Sequence, residues 1–579
     1  MKGGIVESSA APQRFVELTI LGQDPSVRDP EPEDEDHRIL RAKARIPLQM
    51  VEPGPWGPRF HVVDYSTVDR TLEPAFDFDR AGPGEPQDLF DRASDDELLT
   101  DRRFHAQNVF AIASRTLAAF EFALGRRIPW SFDSHQLYLV PHAFREPNAF
   151  YADSEQALLF GDVITSEGTA STSLSHDIVA HETTHAILDG LRGRFDVPGP
   201  PDQAAFHEGF ADVVALLSVF GLPEVVDRLI AARPGRTLLE GDITPDVLRD
   251  LSLVKLAEEL GDVLHDERGQ GLRNSAALGP SEDWKDLTRA EWLEPHRRGE
   301  ILVAAVMHAL IELWTGRLET LVQRGELSRE RAAEEGAKVA GHLLNMTIRA
   351  IDYCPPVEFE FADFLDAALI ADQEVVPEDD HGYREALMSG FAAFGIRPRR
   401  WPPLTTGVPD TYTYRGFNYL SLRSDREEVY RFMWQNADTL GIPRTTYLKV
   451  ESVVPSVRIS PDGFVVTETV VEYVQQLGTT MGALREMAPA EFAQLTAVPD
   501  DQRVKVWGGG SLIFDQFGRV KHHLYKPLND WTRQAARLEY LIQQGIRDRD
   551  GRLGYSFGIP RGMRFAIYHQ PGATIGESW

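Results

Sequence analysis

The chain has 579 residues, which at roughly 150 per domain allows about three or four domains and a sizeable core. Its 60 Lys and Arg against 89 Asp and Glu leave a formal net charge of −29, which argues against nucleic-acid and anionic-membrane partners, since both need clustered positive charge. Hydrophobic residues at 42% and charged residues at 26% fit a soluble globular protein, a lone Cys354 excludes an intrachain disulfide framework, and no run approaches the roughly 18 apolar residues of a membrane span.

The N-terminal segment Met1-Lys2-Gly3-Gly4-Ile5-Val6-Glu7 has no apolar signal-like region, so a cytoplasmic location is expected, with signal-less export left open. Residues 1 to about 45 are polar, and their acidic run, Glu31 to Asp36, reads as a solvated strap rather than a binding tail. Phe60-His61-Val62-Val63-Asp64 reads as a strand. Residues 97–125 carry helical spacing through Phe104, Val109, Ile112, Leu117 and Phe120. Gln136–Val140 and Ala157–Phe160 are expected strands. Residues 175–190 are an expected helix, with Ser175 as N-cap and Gly190 as terminator. The stretch 300–397 reads as mostly helical, led by the apolar run Ile301–Leu313. Pro402, Pro403, Gly407 and Pro409 mark 399–410 as a linker. Beyond it, Val-rich 450–474 and the segment Ser511–Val520 read as strands, the latter broken by a turn.

The chemistry is concentrated at His181-Glu182-Thr183-Thr184-His185. On a helix, positions i and i+4 share one face, so both imidazoles can reach one Zn²⁺, and the glutamate between them can take a proton from water. A catalytic zinc needs a third protein ligand. His207-Glu208-Gly209-Phe210-Ala211-Asp212 supplies a second helix with carboxylates at i and i+4, one suited to ligation and one to holding a histidine N–H.

These two segments resemble thermolysin-like, gluzincin zinc metallopeptidases, and the resemblance runs from about residue 97 to 398. It implies a two-lobed α+β fold: a β-rich N-lobe with the zinc helices (97–220) and a helical C-lobe (221–398). Residues 1–96 would be an N-terminal extension with short strands, and 411–579 an α+β accessory domain. The resemblance implies His181, His185 and Glu208 as zinc ligands, Glu182 as general base, and Asp212 as the residue that orients His181. Asn148-Ala149-Phe150-Tyr151 resembles the family's edge strand, where Asn148 and Ala149 would hold an extended peptide by strand addition. Gly271-Leu272-Arg273-Asn274-Ser275 resembles the loop whose arginine reaches the substrate carbonyl. His296, in Pro295-His296-Arg297-Arg298-Gly299, resembles the family's oxyanion-stabilising histidine, with Glu291 or Glu294 as its carboxylate partner.

The chain departs from the family in four ways. Phe195 stands where a tyrosine usually donates to the oxyanion. His207 replaces the usual asparagine before the third ligand. No calcium-binding acidic cluster follows Asp212, so structural Ca²⁺ is not expected. The segment from Thr244 to Glu267 has no recognised counterpart.

The expected function is zinc endopeptidase, since the G-x-M-E-N signature of zinc aminopeptidases is missing. The alternatives are a latent protease silenced by its C-terminal domain and a non-catalytic zinc-containing binding protein. The expected partners are a peptide or protein substrate and a regulatory protein at the C-terminal domain. In that domain Trp507-Gly508-Gly509-Gly510-Ser511 is not a P-loop, and its glycines read as a bulge or turn. His522 and His523 should face opposite sides of a strand. Cys354 reads as a small buried hydrophobe rather than a zinc-blocking thiolate.

Overall fold

The computed structural model describes residues 15–25, 39–48, 55–66, 70–73, 88–146, 148–165, 168–195, 199–231, 292–325, 327–401, 412–460, 463–548 and 550–554. They form a mixed α+β protein with several sheets. Arg273, Glu291, the acidic run, the 244–267 segment and most of the 399–410 linker lie outside the described residues.

Strands β1 (Phe15–Leu21) and β2 (Arg41–Pro47) pair antiparallel, so part of the supposed strap is ordered sheet. Alternation drives it: Leu18 and Ile20 of β1 and Ala42, Ala44 and Ile46 of β2 are buried. Next come β3 (Phe60–Val62) and a small hairpin of β4 (Tyr65–Ser66) with β5 (Thr71–Leu72). The expected 97–125 helix is two helices, α1 (Asp95–Thr100) and α2 (Arg102–Leu124). Asp101 ends the first in extended backbone and caps the second, its side chain accepting the Arg103 N–H. Gly125, at φ +65°, closes α2 in a left-handed conformation.

The N-terminal sheet adds β6 (Leu137–Phe144), β7 (Ala149–Ala152), β8 (Ala157–Thr165) and β9 (Gly168–Ser171). Its order is β3-β6-β8-β7, with β9 on β8; β7 runs antiparallel to β8 and forms an edge. Then follow α3 (His176–Leu191), α4 (Pro201–Phe220), α5 (Pro223–Ala231), α6 (Pro295–Arg324), α7 (Arg329–Ala350), α8 (Phe361–Val375) and α9 (Tyr383–Ala393). The helix α6 is long and apolar enough to cross a membrane, but most of it is packed inside the protein, as a core helix is.

The last part is an antiparallel meander, β10 (Tyr447–Ile459), β11 (Val465–Thr480), β12 (Arg503–Phe514) and β13 (Val520–Lys526). The helices α10 (Arg426–Gln435), α11 (Met481–Met487) and α12 (Trp531–Gln543) accompany it. The glycines 508 and 510 make neither bulge nor turn. They sit inside β12, where a Cβ would come within 2.7 Å of Leu528 N and 2.6 Å of Leu524 O. His522 and His523 do face opposite ways, toward Glu374 and Tyr473 respectively. Cys354 is buried, and burial pushes its thiol pKa up. Val470, Ile513 and Leu524 of this meander belong to the same hydrophobic core as the α2–α9 helices.

Three buried imidazoles, His105, His176 and His523, are held neutral, with pKa values lowered to about 4, 3 and 3. Burial is the main cause, reinforced by His142, Arg115 and Arg400 respectively. In the unfolded chain these groups protonate near about pH 6.5, so their neutral state stabilises the fold above that pH. This contribution should fade as pH falls from about 6.5 toward 3, the His105 share being lost by about 4. The urea midpoint should drop across that window, and His105→Gln should flatten the drop; an unchanged slope refutes the assignment.

Candidate metal centre

The helix α3 is buried from His176 to Asp189, so its polar side chains need internal partners. Thr183 and Thr184 donate back to Val179 O and Ala180 O at 2.6 and 2.8 Å. Ser175 is the N-cap by position but makes no side-chain cap; its hydroxyl bonds Asp177 instead, at 2.7 Å. Gly190 does not end the helix. It lies within it because the Pro129 carbonyl approaches where a Cβ would stand, at 2.1 Å.

On α4, Phe206 and Phe210 point into an aromatic core with Phe195, Phe359 and Phe364. Half a turn away, Glu208 and Asp212 meet α3. His181 Nδ1 lies 2.8 Å from Asp212 Oδ1. His181 Nε2 and His185 Nε2 face each other at 2.8 Å, and Glu208 Oε2 lies 3.6 and 3.5 Å from them. These three ligand atoms all fall within 4.8 Å of one another, so the buried group can hold a metal ion.

The proton inventory supports that fit. His181 Nδ1–H donates to Asp212, which leaves Nε2 as a lone pair when the ring is neutral. His185 Nδ1 lies 2.8 Å from His207 Nδ1, with the two rings stacked at 5.0 Å. If His185 Nδ1 keeps its proton and His207 accepts it, His185 Nε2 is also a lone pair. Two facing ring nitrogens beside a carboxylate favour a shared positive charge, which a proton or a metal ion can supply. The electrostatics agree. Burial opposes charge on His181, but Asp212, Glu208 and Glu182 outweigh it and raise its pKa to about 10. Burial also pushes Glu208 up, yet His185, His296 and His181 hold its carboxyl well below the usual range.

The base candidate Glu182 is fully buried, and its Oε2 accepts the Tyr151 N–H from edge strand β7 at 3.0 Å. The Tyr151 phenol is anchored near Ser131, Asp153 and Asp189, at 2.9, 3.3 and 3.2 Å. Asn148 Oδ1 accepts the Ala149 N–H at 2.8 Å. Thus Ala149 and Tyr151, alternate residues of the edge, each give an N–H to a side-chain oxygen, and the Tyr151 contact ties the edge to Glu182.

Helix α6 delivers His296. A Cβ on Gly209 would come within 2.8 Å of Gly299 O, so two glycines let α4 and α6 touch backbone to backbone. His296 sits one turn before that contact, with Nε2 3.5 Å from Glu208 Oε2. Its Nδ1 lies 2.8 Å from Glu294 Oε1, so Glu294 is its carboxylate partner. Phe195 is in the core against Phe206 and Phe359, away from any role as a donor.

Sequence reasoning passed over two contributors: His207, noted only as a departure, and Tyr151, whose N–H reaches Glu182. His207 carried a signal, since a histidine beside a ligand carboxylate is a ready outer partner. Compared with known proteins, the chain matches no protein-family model, and no curated protein gives a sequence match.

Removing either outer partner, by Asp212→Ala or His207→Ala, should weaken zinc affinity by about 10–100-fold. Competition against a chromophoric chelator measures this. Affinities equal to wild type would exclude both residues from the site.

Proposed function

We propose that this chain is a zinc-dependent endopeptidase of the thermolysin-like, gluzincin kind, acting on peptides or proteins in the cytoplasm. The observation that carries the proposal is the pair of facing Nε2 atoms closed by Glu208, with buried Glu182 beside them. Tetrahedral zinc with bonds of about 2.0–2.1 Å holds its ligand atoms about 3.3 Å apart. The observed separations of 2.8, 3.5 and 3.6 Å bracket that spacing. The donor set is also chemically right: two imidazoles and one carboxylate suit a catalytic zinc that keeps a position open.

When bound there, zinc supplies a Lewis acid that polarises a peptide carbonyl and acidifies water. The chain's own residues do the rest. Glu182 accepts the proton of the attacking water and returns it to the departing amine. His296, oriented by Glu294 at Nδ1, offers Nε2–H to the developing oxyanion. Arg273 is the proposed second donor. With Phe195 in the core, no hydroxyl from that position assists, so His296 and Arg273 carry more of the charge. The β7 edge holds the substrate backbone, with Asn148 and Ala149 at its start. An intact carboxylate at Glu182 favours hydrolysis over a protein that keeps metal only for binding.

The test is peptide cleavage by the zinc-loaded chain on a diverse peptide mixture, read by mass spectrometry. Glu182→Gln should retain zinc and lose about 10²–10⁴ in rate. Equal cleavage by the variant, or none by wild type with one zinc bound, would refute the proposal.

A further inference from the structure

Each segment that carries the metal centre is tied to the C-terminal part of the chain. At the end of α3, Arg192 is 3% exposed; its guanidinium pairs with Glu472 of β11 at 3.1 Å and donates to Ile351 O. Two residues on, Arg194 bonds Glu451 of β10 at 2.6 and 3.0 Å, with its guanidinium over the Trp507 ring. At the start of α4, Gln203 accepts the Phe359 N–H at 3.1 Å and donates to Phe195 O at 3.3 Å. The 357–363 stretch is gripped in turn. Val357 packs with Val474 and Trp507, Glu358 faces Arg533 and Arg537 of α12, and Lys526 of β13 pairs with Asp363. Just before α6, Leu293 packs into the cluster of Met481, Leu538 and Tyr540.

We propose that residues 412–554 are a permanent brace that positions the metal centre, with Arg192 as its principal positioning residue, rather than a removable inhibitory module. The chemistry of the interface carries this. Arg192, Glu472, Glu358, Arg537, Lys526 and Asp363 are all nearly excluded from solvent. Separating the two parts would strand these charges without partners, which is strongly unfavourable. A detachable inhibitor would be expected to meet the enzyme through surfaces that tolerate water. The brace also acts at the right places: the end of the helix bearing His181 and His185, the start of the helix bearing Glu208, and the approach to His296. The inference rests on the metal centre and does not require peptide hydrolysis.

The experiment uses the full chain. Zinc affinity is measured by chelator competition, and the visible spectrum is recorded with Co²⁺ in the site. Arg192→Met and Glu472→Leu should weaken zinc binding about tenfold and alter the cobalt bands. Glu472→Gln, which keeps an acceptor for the guanidinium, should stay close to wild type. Phe432→Ala, in the separate core around α10, serves as a control. It should lose stability while keeping the affinity and the spectrum. If Arg192→Met does not fold, a protease site inserted within 402–410 gives the second reading. After cutting, the halves should stay associated and the cobalt spectrum should persist. Unchanged zinc affinity and cobalt bands in Arg192→Met and Glu472→Leu would overturn the proposal. So would separation of the cut halves with the spectrum retained on the N-terminal piece. Absence of peptide cleavage alongside the expected spectral changes would overturn the peptidase reading alone.

Discussion

Two imidazole nitrogens held 2.8 Å apart beside the Glu208 carboxylate favour a positive charge shared between them, a proton or a metal ion. Much of the surrounding architecture meets that constraint. Asp212 and His207, both on α4, lie 2.8 Å from the outer nitrogens of the two rings, and Glu208 on the same helix supplies the negative charge. The opposite side of α4 is Phe206 and Phe210, packed into an aromatic core that prevents the helix from rotating. The Gly209–Gly299 contact then sets the distance to α6, and so places His296 against the same carboxylate oxygen. A group that can hold a metal ion, its outer partners and a candidate oxyanion donor thus follow from two helix crossings, α3 with α4 and α4 with α6.

The organisation of the chain around this centre differs from that of modules on a string. The C-terminal meander contributes Val470, Ile513 and Leu524 to the main core and meets the helical part through buried ions. One cluster joins Arg126, Asp352, Arg458 and Glu468 across α2, the turn after α7, and the β10–β11 pair. Such clusters add little net stability when intact but are costly to break, so they favour one arrangement over partial detachment. Together they make the meander part of the same folded unit as the helices that carry the site.

The group that can hold a metal ion was legible because its information is local. An i, i+4 histidine pair has one geometry on a helix, and Glu208 with Asp212 repeats that logic one helix later. The helices of the 300–397 region were legible from apolar periodicity, and β10 and β11 from the Val-rich 450–474 run; of β12 only the end from Ser511 was legible, because its glycines read as a bulge or turn. What escaped was set by tertiary approach. Gly190 looks like a helix stop and is instead a point where the Pro129 carbonyl comes close. The β1–β2 pair hid because its alternation is partial: from Leu18 to Leu21 both faces of β1 are buried, while polar residues fill the exposed face of β2. His207 pairs with His185 only because of how α4 crosses α3. The charges of the brace read as solvated one at a time, since nothing local links Arg192 to Glu472.

The central claim is that His181, His185 and Glu208 bind one metal ion together. Anomalous diffraction from crystals of the zinc-loaded chain, collected on both sides of the zinc edge, tests it most directly. A single strong peak is expected about 2.0–2.1 Å from His181 Nε2, His185 Nε2 and a Glu208 oxygen. No peak at that position, or zinc held by a different set of residues, would contradict it.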